Sequence, residues 1–301
     1  MLNFLFVFLL ISAFAQEEVQ LWPEDSKVLK EGIKIIAEDK DSDHNPELTI
    51  DHPSFFLYPA KSSSPTPAIL VFPGGGYQVV AIGKESTIGY NGADVCKWLT
   101  DNGITCVLVK YRVPNSGCYW SKRQHKHVTP EIPMALQDAH RAMSLVRYNA
   151  QKYNIDTAKI GVMGFSAGGN LTVRSSTDFN KRSYEPIDDA DKMKLRPDFA
   201  IPVYPGHLTM EHMNTKSKEL NTDIKISKDI PTTLLIHAKD DPVDPVHYSE
   251  VYARELKKAG VPVKLILYKT GGHAFGVKKQ GKDTDRWTND AVSWLKEIKV
   301  L

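Results

Sequence analysis

Ser166 lies in the run Gly164-Phe165-Ser166-Ala167-Gly168-Gly169, after the apolar stretch Lys159–Met163 and before a helical pattern that includes Leu171–Ser175. Glycine tolerates positive φ and close backbone approach, so this spacing predicts a tight, crowded turn with the serine hydroxyl at its tip. A hydroxyl is a poor nucleophile until an imidazole removes its proton. A carboxylate behind that imidazole fixes its tautomer and stabilises its charged form. Both groups follow in the chain. Asp240, Asp241 and Asp244 lie within Lys239–Pro245, and His273 lies in Gly271-Gly272-His273-Ala274-Phe275-Gly276. Upstream, Pro73-Gly74-Gly75-Gly76-Tyr77 supplies backbone N–H groups with little side-chain obstruction. Attack on a carbonyl would create an oxyanion, which the amides of Gly75, Gly76 and Ala167 are suited to hold.

These residues can act together only if the fold gathers them. After residue 67 the chain alternates apolar runs with amphipathic stretches. Strands are expected at Ala68–Phe72, Ile104–Tyr111, Lys159–Met163, Phe199–Tyr204, Thr233–Ala238 and Val263–Tyr268. Helices are expected over Ala93–Thr100, between Ile132 and Tyr153, from Pro245 to Ala259, and at the C-terminus. The second places Leu136, Ala139, Met143 and Val146 on one face; the last does so with Trp287, Ala291, Trp294, Leu295 and Ile298. Near-continuous apolar strands separated by helices imply a doubly wound α/β domain whose mostly parallel sheet is covered on both faces. Open sheets of this kind carry ligands at the carboxyl ends of their strands. The glycine loop, Ser166, the aspartates and His273 each follow such a strand, and the chain order is Ser, Asp, His.

Bulk properties narrow the function. The 38 Lys and Arg nearly balance the 36 Asp and Glu, leaving a net charge of +2, which argues against nucleic-acid binding. Residues 1–15, MLNFLFVFLLISAFA, carry no charged side chain and end in a small-x-small pattern. They read as a cleaved secretory signal, too short to span a membrane, rather than as an uncleaved anchor. Residues 16–301 are then the single folded domain, secreted and without membrane attachment. Of the three cysteines, Cys96 and Cys106 fall in apolar helix and strand patterns. A bridge between them is open, but buried thiols are the simpler reading. The oligomeric state is not legible.

GFSAGG fits the G-x-S-x-G nucleophile elbow, and PGGGY resembles the HGGG-type oxyanion loop with Pro73 in place of histidine. With HAKDDPVDP and GGHAFG, the chain resembles the α/β-hydrolase serine esterases, most closely secreted lipase-like acetylxylan and feruloyl esterases, from about Pro67 to the C-terminus. The resemblance implies an acyl-enzyme mechanism on esterified plant polysaccharide, without metal or organic cofactor. It aligns Asp241 with the family's acid and leaves Asp240 as a turn residue. The loop Gly83–Gly92 is longer than is usual in that group. Other readings are a general carboxylesterase, a serine peptidase, or a hydrolase-like binding module without catalysis; the complete Ser, Asp and His set speaks against the last.

Remaining features read as structural. Asp244, before Pro245, has the form of a helix N-cap followed by proline at the first helical position. Asn170-Leu171-Thr172 matches a glycosylation sequon but sits on the first turn of the helix behind Ser166, where it is expected to be buried. Lys122–His127 reads as a solvated basic loop near the site mouth, able to meet anionic polysaccharide. Its histidines lack a companion carboxylate or cysteine at ligand spacing. Asn115–Thr129 and His207–Asp229 are candidate roofs over the site.

Overall fold

The structure is a computed structural model and describes residues 17–38, 49–82, 92–113, 120–121, 126–127, 133–210 and 217–301. Residues 1–16, Gly83–Gly92 apart from its last residue, Cys118 and most of Asn115–Thr129 lie outside the described residues. In chain order the strands are β1 (Glu17–Gln20), β2 (Ser54–Tyr58), β3 (Thr66–Phe72), β4 (Thr105–Lys110), β5 (Trp120–Ser121), β6 (Lys126–His127), β7 (Ile155–Phe165), β8 (Phe199–Val203), β9 (Thr232–Ala238) and β10 (Val263–Tyr268). The helices are α1 (Lys27–Glu38), α2 (Ala93–Asp101), α3 (Pro133–Tyr148), α4 (Ala167–Thr177), α5 (His247–Lys258) and α6 (Trp287–Glu297). Eight strands form one sheet in the order β1-β2-β4-β3-β7-β8-β9-β10. The pairs from β4 to β10 are parallel, and β2 runs antiparallel to both β1 and β4.

Side-chain alternation explains the layers. Leu70 and Phe72 on β3, with Val107 and Val109 on β4, face a core shared with Leu136, Ala139, Met143 and Val146 of α3. Their neighbours Ile69, Val71, Cys106 and Leu108 face the opposite core, with Val95 and Leu99 of α2 and Trp287, Ala291, Trp294 and Leu295 of α6. Both expected helical stripes are therefore packed, with Ile298 at the margin. The sheet is covered on both faces, so the doubly wound reading holds. Every strand expected from periodicity is present to within a few residues.

Three local expectations change. Cys96 and Cys106 form a disulfide, with Cα atoms 5.1 Å apart, because the packing of α2 on β4 brings the two side chains together. They are not free thiols. The basic segment ends in paired strand residues, Trp120 opposite His127 and Ser121 opposite Lys126. Helix α5 begins at His247 with Val246 as its cap, so Asp244 is not the N-cap. The chain passes Asp244 inward before the helix starts.

Two buried titratable side chains tie α3 to its surroundings. Asp138 and Arg112 are both fully buried and 2.8 Å apart, and Asp138 also accepts from Trp22 Nε1 at 2.7 Å and from the Arg112 amide at 2.8 Å. His140 is 1% exposed and accepts the Ser183 amide at Nδ1. Burial, reinforced by Arg182 and Arg174, pushes its imidazole down to about 3. The unfolded chain would bind this proton from about pH 6.5 downward while the folded chain refuses it. Stability is therefore expected to fall with pH between about 6.5 and 3, by up to about 1.4 kcal/mol per pH unit from this residue. Urea unfolding of the parent and His140→Asn at pH 7 and pH 5 tests this. The variant should lose less stability across that interval; equal losses would count against His140 as the source.

Candidate active site

Strand β7 ends at Phe165 and α4 begins at Ala167, leaving Ser166 alone to make the turn with φ +54° and ψ −117°. A non-glycine residue in this region is strained, and the crowding around it is severe. A Cβ on Gly164 would lie 2.0 Å from the Gly168 carbonyl oxygen, and one on Gly168 would lie 1.9 Å from that of Phe72. Both glycines are needed for close approach, as the sequence implied. The turn is held by Ser166 N donating to the Val203 carbonyl at 3.1 Å and by Gly206 N donating to the Ser166 carbonyl at 3.2 Å.

His273 follows β10, and Asp241 follows β9. The structure brings both to Ser166. His273 Nε2 lies 3.0 Å from Ser166 Oγ, and Nδ1 lies 2.8 Å from Asp241 Oδ2. The Asp241 side chain is fully buried; its Oδ1 accepts the amides of Val243 and Asp244 at 2.8 and 2.9 Å. Burial alone would raise its pKa, but hydrogen bonds from His237 and His273 hold it well below the usual carboxylate range. An ionised Asp241 therefore keeps the proton of neutral His273 on Nδ1 and leaves Nε2 to accept from the serine. Burial lowers the His273 pKa, yet the Asp241 hydrogen bond and the charge of Asp244 outweigh it, so the net shift is upward. Tyr204 packs edge-on against the ring at 4.9 Å. Asp240 is exposed and accepts from Gly272 N at 2.8 Å, holding the turn that carries His273.

The glycine loop lies beside this set. Gly75 and Gly76 have φ of +134° and +62°, and their amides and that of Ala167 donate to no acceptor among the described residues. Tyr77 is anchored beneath them, donating its hydroxyl to Asn170 Oδ1 at 2.9 Å, while Asn170 Nδ2 donates to the Gly206 carbonyl at 3.0 Å. Asn170 is buried and uses both ends of its amide, which leaves no room for a glycan in the folded state.

Two residues escaped the sequence reading. His237, fully buried at the end of β9, donates from Nε2 to the Asp244 carbonyl at 2.9 Å and accepts at Nδ1 from Ser249 at 2.8 Å. Its Nε2 also lies 3.4 Å from Asp241 Oδ2, so it steadies that carboxylate from behind. Asp244 is the second, with Oδ2 3.3 Å from Ser166 Oγ. Its position beside a catalytic-type Asp at a strand end was the available signal, hidden by the Asp-Pro pattern. Among the described residues no cluster of metal-ligating side chains occurs, and no helix is long and apolar enough to cross a membrane.

Several known proteins are similar to this chain. The BD-FAE family matches residues 56–203, which includes Ser166 and the glycine loop. An acetylxylan esterase of Xylanibacter ruminicola is 31% identical over 250 residues, covering 77% of this chain and 45% of the relative. Endo-1,4-beta-xylanase B of Butyrivibrio fibrisolvens is 24% identical over 75% of this chain and 35% of its own. The chain thus spans less than half the length of these curated relatives. The crystal structure of an acetyl ester-xyloside bifunctional hydrolase from Caldicellulosiruptor lactoaceticus superposes with a TM-score of 0.68 at 27% identity, covering 95% of this chain and 97% of that one. The chain has the α/β-hydrolase fold and resembles acetylxylan esterases and other serine esterases built on it.

Proposed function

We propose that the protein is a secreted serine esterase that removes acetyl groups from xylan-type polysaccharide by way of an acyl-enzyme. The hydrogen-bonded series Asp241–His273–Ser166, set at the ends of β9, β10 and β7, carries this reading. Ser166 Oγ attacks the ester carbonyl as its proton passes to His273 Nε2. Asp241 stabilises the imidazolium, and the amides of Gly75, Gly76 and Ala167 receive the oxyanion. Collapse breaks the ester C–O bond, and the His273 proton leaves with the sugar hydroxyl. Water then attacks the acyl-serine with His273 as base, releasing the acid and restoring Ser166. No step calls for a metal or organic cofactor.

The acetylxylan relative and the acetyl ester-xyloside hydrolase support the choice of acyl group and polysaccharide. The charge-free, apolar leader and the Cys96–Cys106 disulfide support secretion, since disulfides persist in oxidising compartments. The test uses purified protein on acetylated, feruloylated arabinoxylan, with acetate and ferulate quantified together. Acetate in excess of ferulate is the expected result. Ferulate alone would move the assignment to the other acyl group, and neither acid would remove the polysaccharide reading.

A further inference from the structure

Around Ser166 Oγ stand two acceptors. One is His273 Nε2 at 3.0 Å and the other is Asp244 Oδ2 at 3.3 Å, and these two are 3.8 Å from each other. With His273 neutral, the triangle contains a single proton, that of the serine hydroxyl, and two lone-pair groups compete for it. One further proton on Nε2 satisfies every contact: Nε2–H donates to Oγ, and the hydroxyl donates to Asp244. The imidazolium would then lie between Asp241 on one side and Asp244 on the other.

Asp244 is built into this position. It is 3% exposed. Its amide donates to Asp241 Oδ1 at 2.9 Å and its carbonyl accepts from His237 Nε2 at 2.9 Å, fixing the residue at both ends. Gly206 makes space for the carboxyl group, since a Cβ there would lie 2.8 Å from Oδ1 and 2.9 Å from Oδ2. The charged and polar groups that face it are His273, Asp241, His237 and Ser166. Burial raises the Asp244 pKa to about 6, with His273 acting in the opposite direction.

We propose that Asp244 is a second carboxylate of the catalytic centre, which holds the Ser166 proton in the resting protein and sets the pH above which Ser166 becomes a nucleophile. The inference rests on Ser166 being the nucleophile. An ionised Asp244 favours the imidazolium, in which Nε2 cannot accept the serine proton. Reactivity must therefore wait for a higher pH than His273 with Asp241 alone would require. Removing the charge should lower the His273 pKa and move the acid limb of reactivity to lower pH.

Inactivation by phenylmethylsulfonyl fluoride reads this without a polysaccharide. Ser166 Oγ bonds to sulfur, the S–F bond breaks, and the serine proton passes to His273 and leaves with fluoride. Rates would be measured from pH 4.5 to 8.5 for the parent and Asp244→Asn, each scaled to its own plateau. At the foot of the acid limb the variant is expected to react about tenfold faster, a midpoint shift of about one pH unit. An unchanged midpoint overturns the proposal while leaving the serine nucleophile standing. A parent that is not labelled at Ser166 overturns both. Should the variant not fold, the low-field Nδ1–H resonance of His273 in the parent decides. Two inflections are expected across the titration, and a single one overturns the proposal.

Discussion

Ser166→Ala is expected to lower kcat on acetylated xylan by roughly a million-fold, and Asp241→Asn by about ten-thousand-fold. The first removes the atom proposed to bond to the acyl group. The second keeps the shape of the acid but reverses a hydrogen bond. Asp241 Oδ1 accepts the amides of Val243 and Asp244, so the asparagine carbonyl would stay on those donors. Its NH2 group would then face His273 Nδ1, where Asp241 Oδ2 now accepts. Nδ1 would have to become the acceptor, the ring proton would move to Nε2, and the serine would lose its base. Asp240→Asn is the contrast, because its side chain accepts the Gly272 amide and an amide oxygen can do the same. Steady-state kinetics on all three variants test the assignment. A loss larger for Asp240→Asn than for Asp241→Asn would place the acid one residue earlier.

Asp138→Ala is expected to cost about 3–5 kcal/mol of folding stability. The carboxylate is fully buried against Arg112, and removing it leaves a guanidinium without its countercharge inside the core. It also strips Trp22 Nε1 and the Arg112 amide of their acceptor. The damage would reach the N-terminal elements, since Arg112 Nη1 donates to the Val28 carbonyl in α1. Arg112 also lies so close to Gly32 that a Cβ there would meet Nη1 at 2.3 Å. Urea unfolding gives the value. A change under about 1 kcal/mol would mean that water reaches Arg112 and replaces the ion pair.

Strand and helix positions were readable wherever burial imposes a period. Ile69 to Phe72 alternate between two cores, and the α6 stripe repeats at helical spacing, so both announce themselves in the sequence. The short edge strand Glu17–Gln20 is mostly exposed and carries no such pattern. Ser166, Asp241 and His273 were legible because each follows a strand that ends at the same edge. Asp244 was not, because the Asp-Pro pair has the form of a helix start and its inward turn depends on Gly206, 38 positions earlier. His237 was hidden in another way. Its residue type at the end of an apolar strand does not reveal that Ser249 and the Asp244 carbonyl will satisfy it. The Cys96–Cys106 bridge depends on how a helix lies on its sheet, which spacing leaves open.

The link from Tyr77 through Asn170 to Gly206 has a consequence for how this scaffold can diversify. It joins the glycine loop, helix α4 and the slot that admits Asp244 into one interlocked unit. A change at any of the three disturbs the other two, so selection acting there would meet opposition from several functions at once. New substrate preferences are easier to reach through residues outside that unit, where one substitution alters one contact. Divergence among proteins with this arrangement should therefore gather around the mouth of the site while its floor stays still.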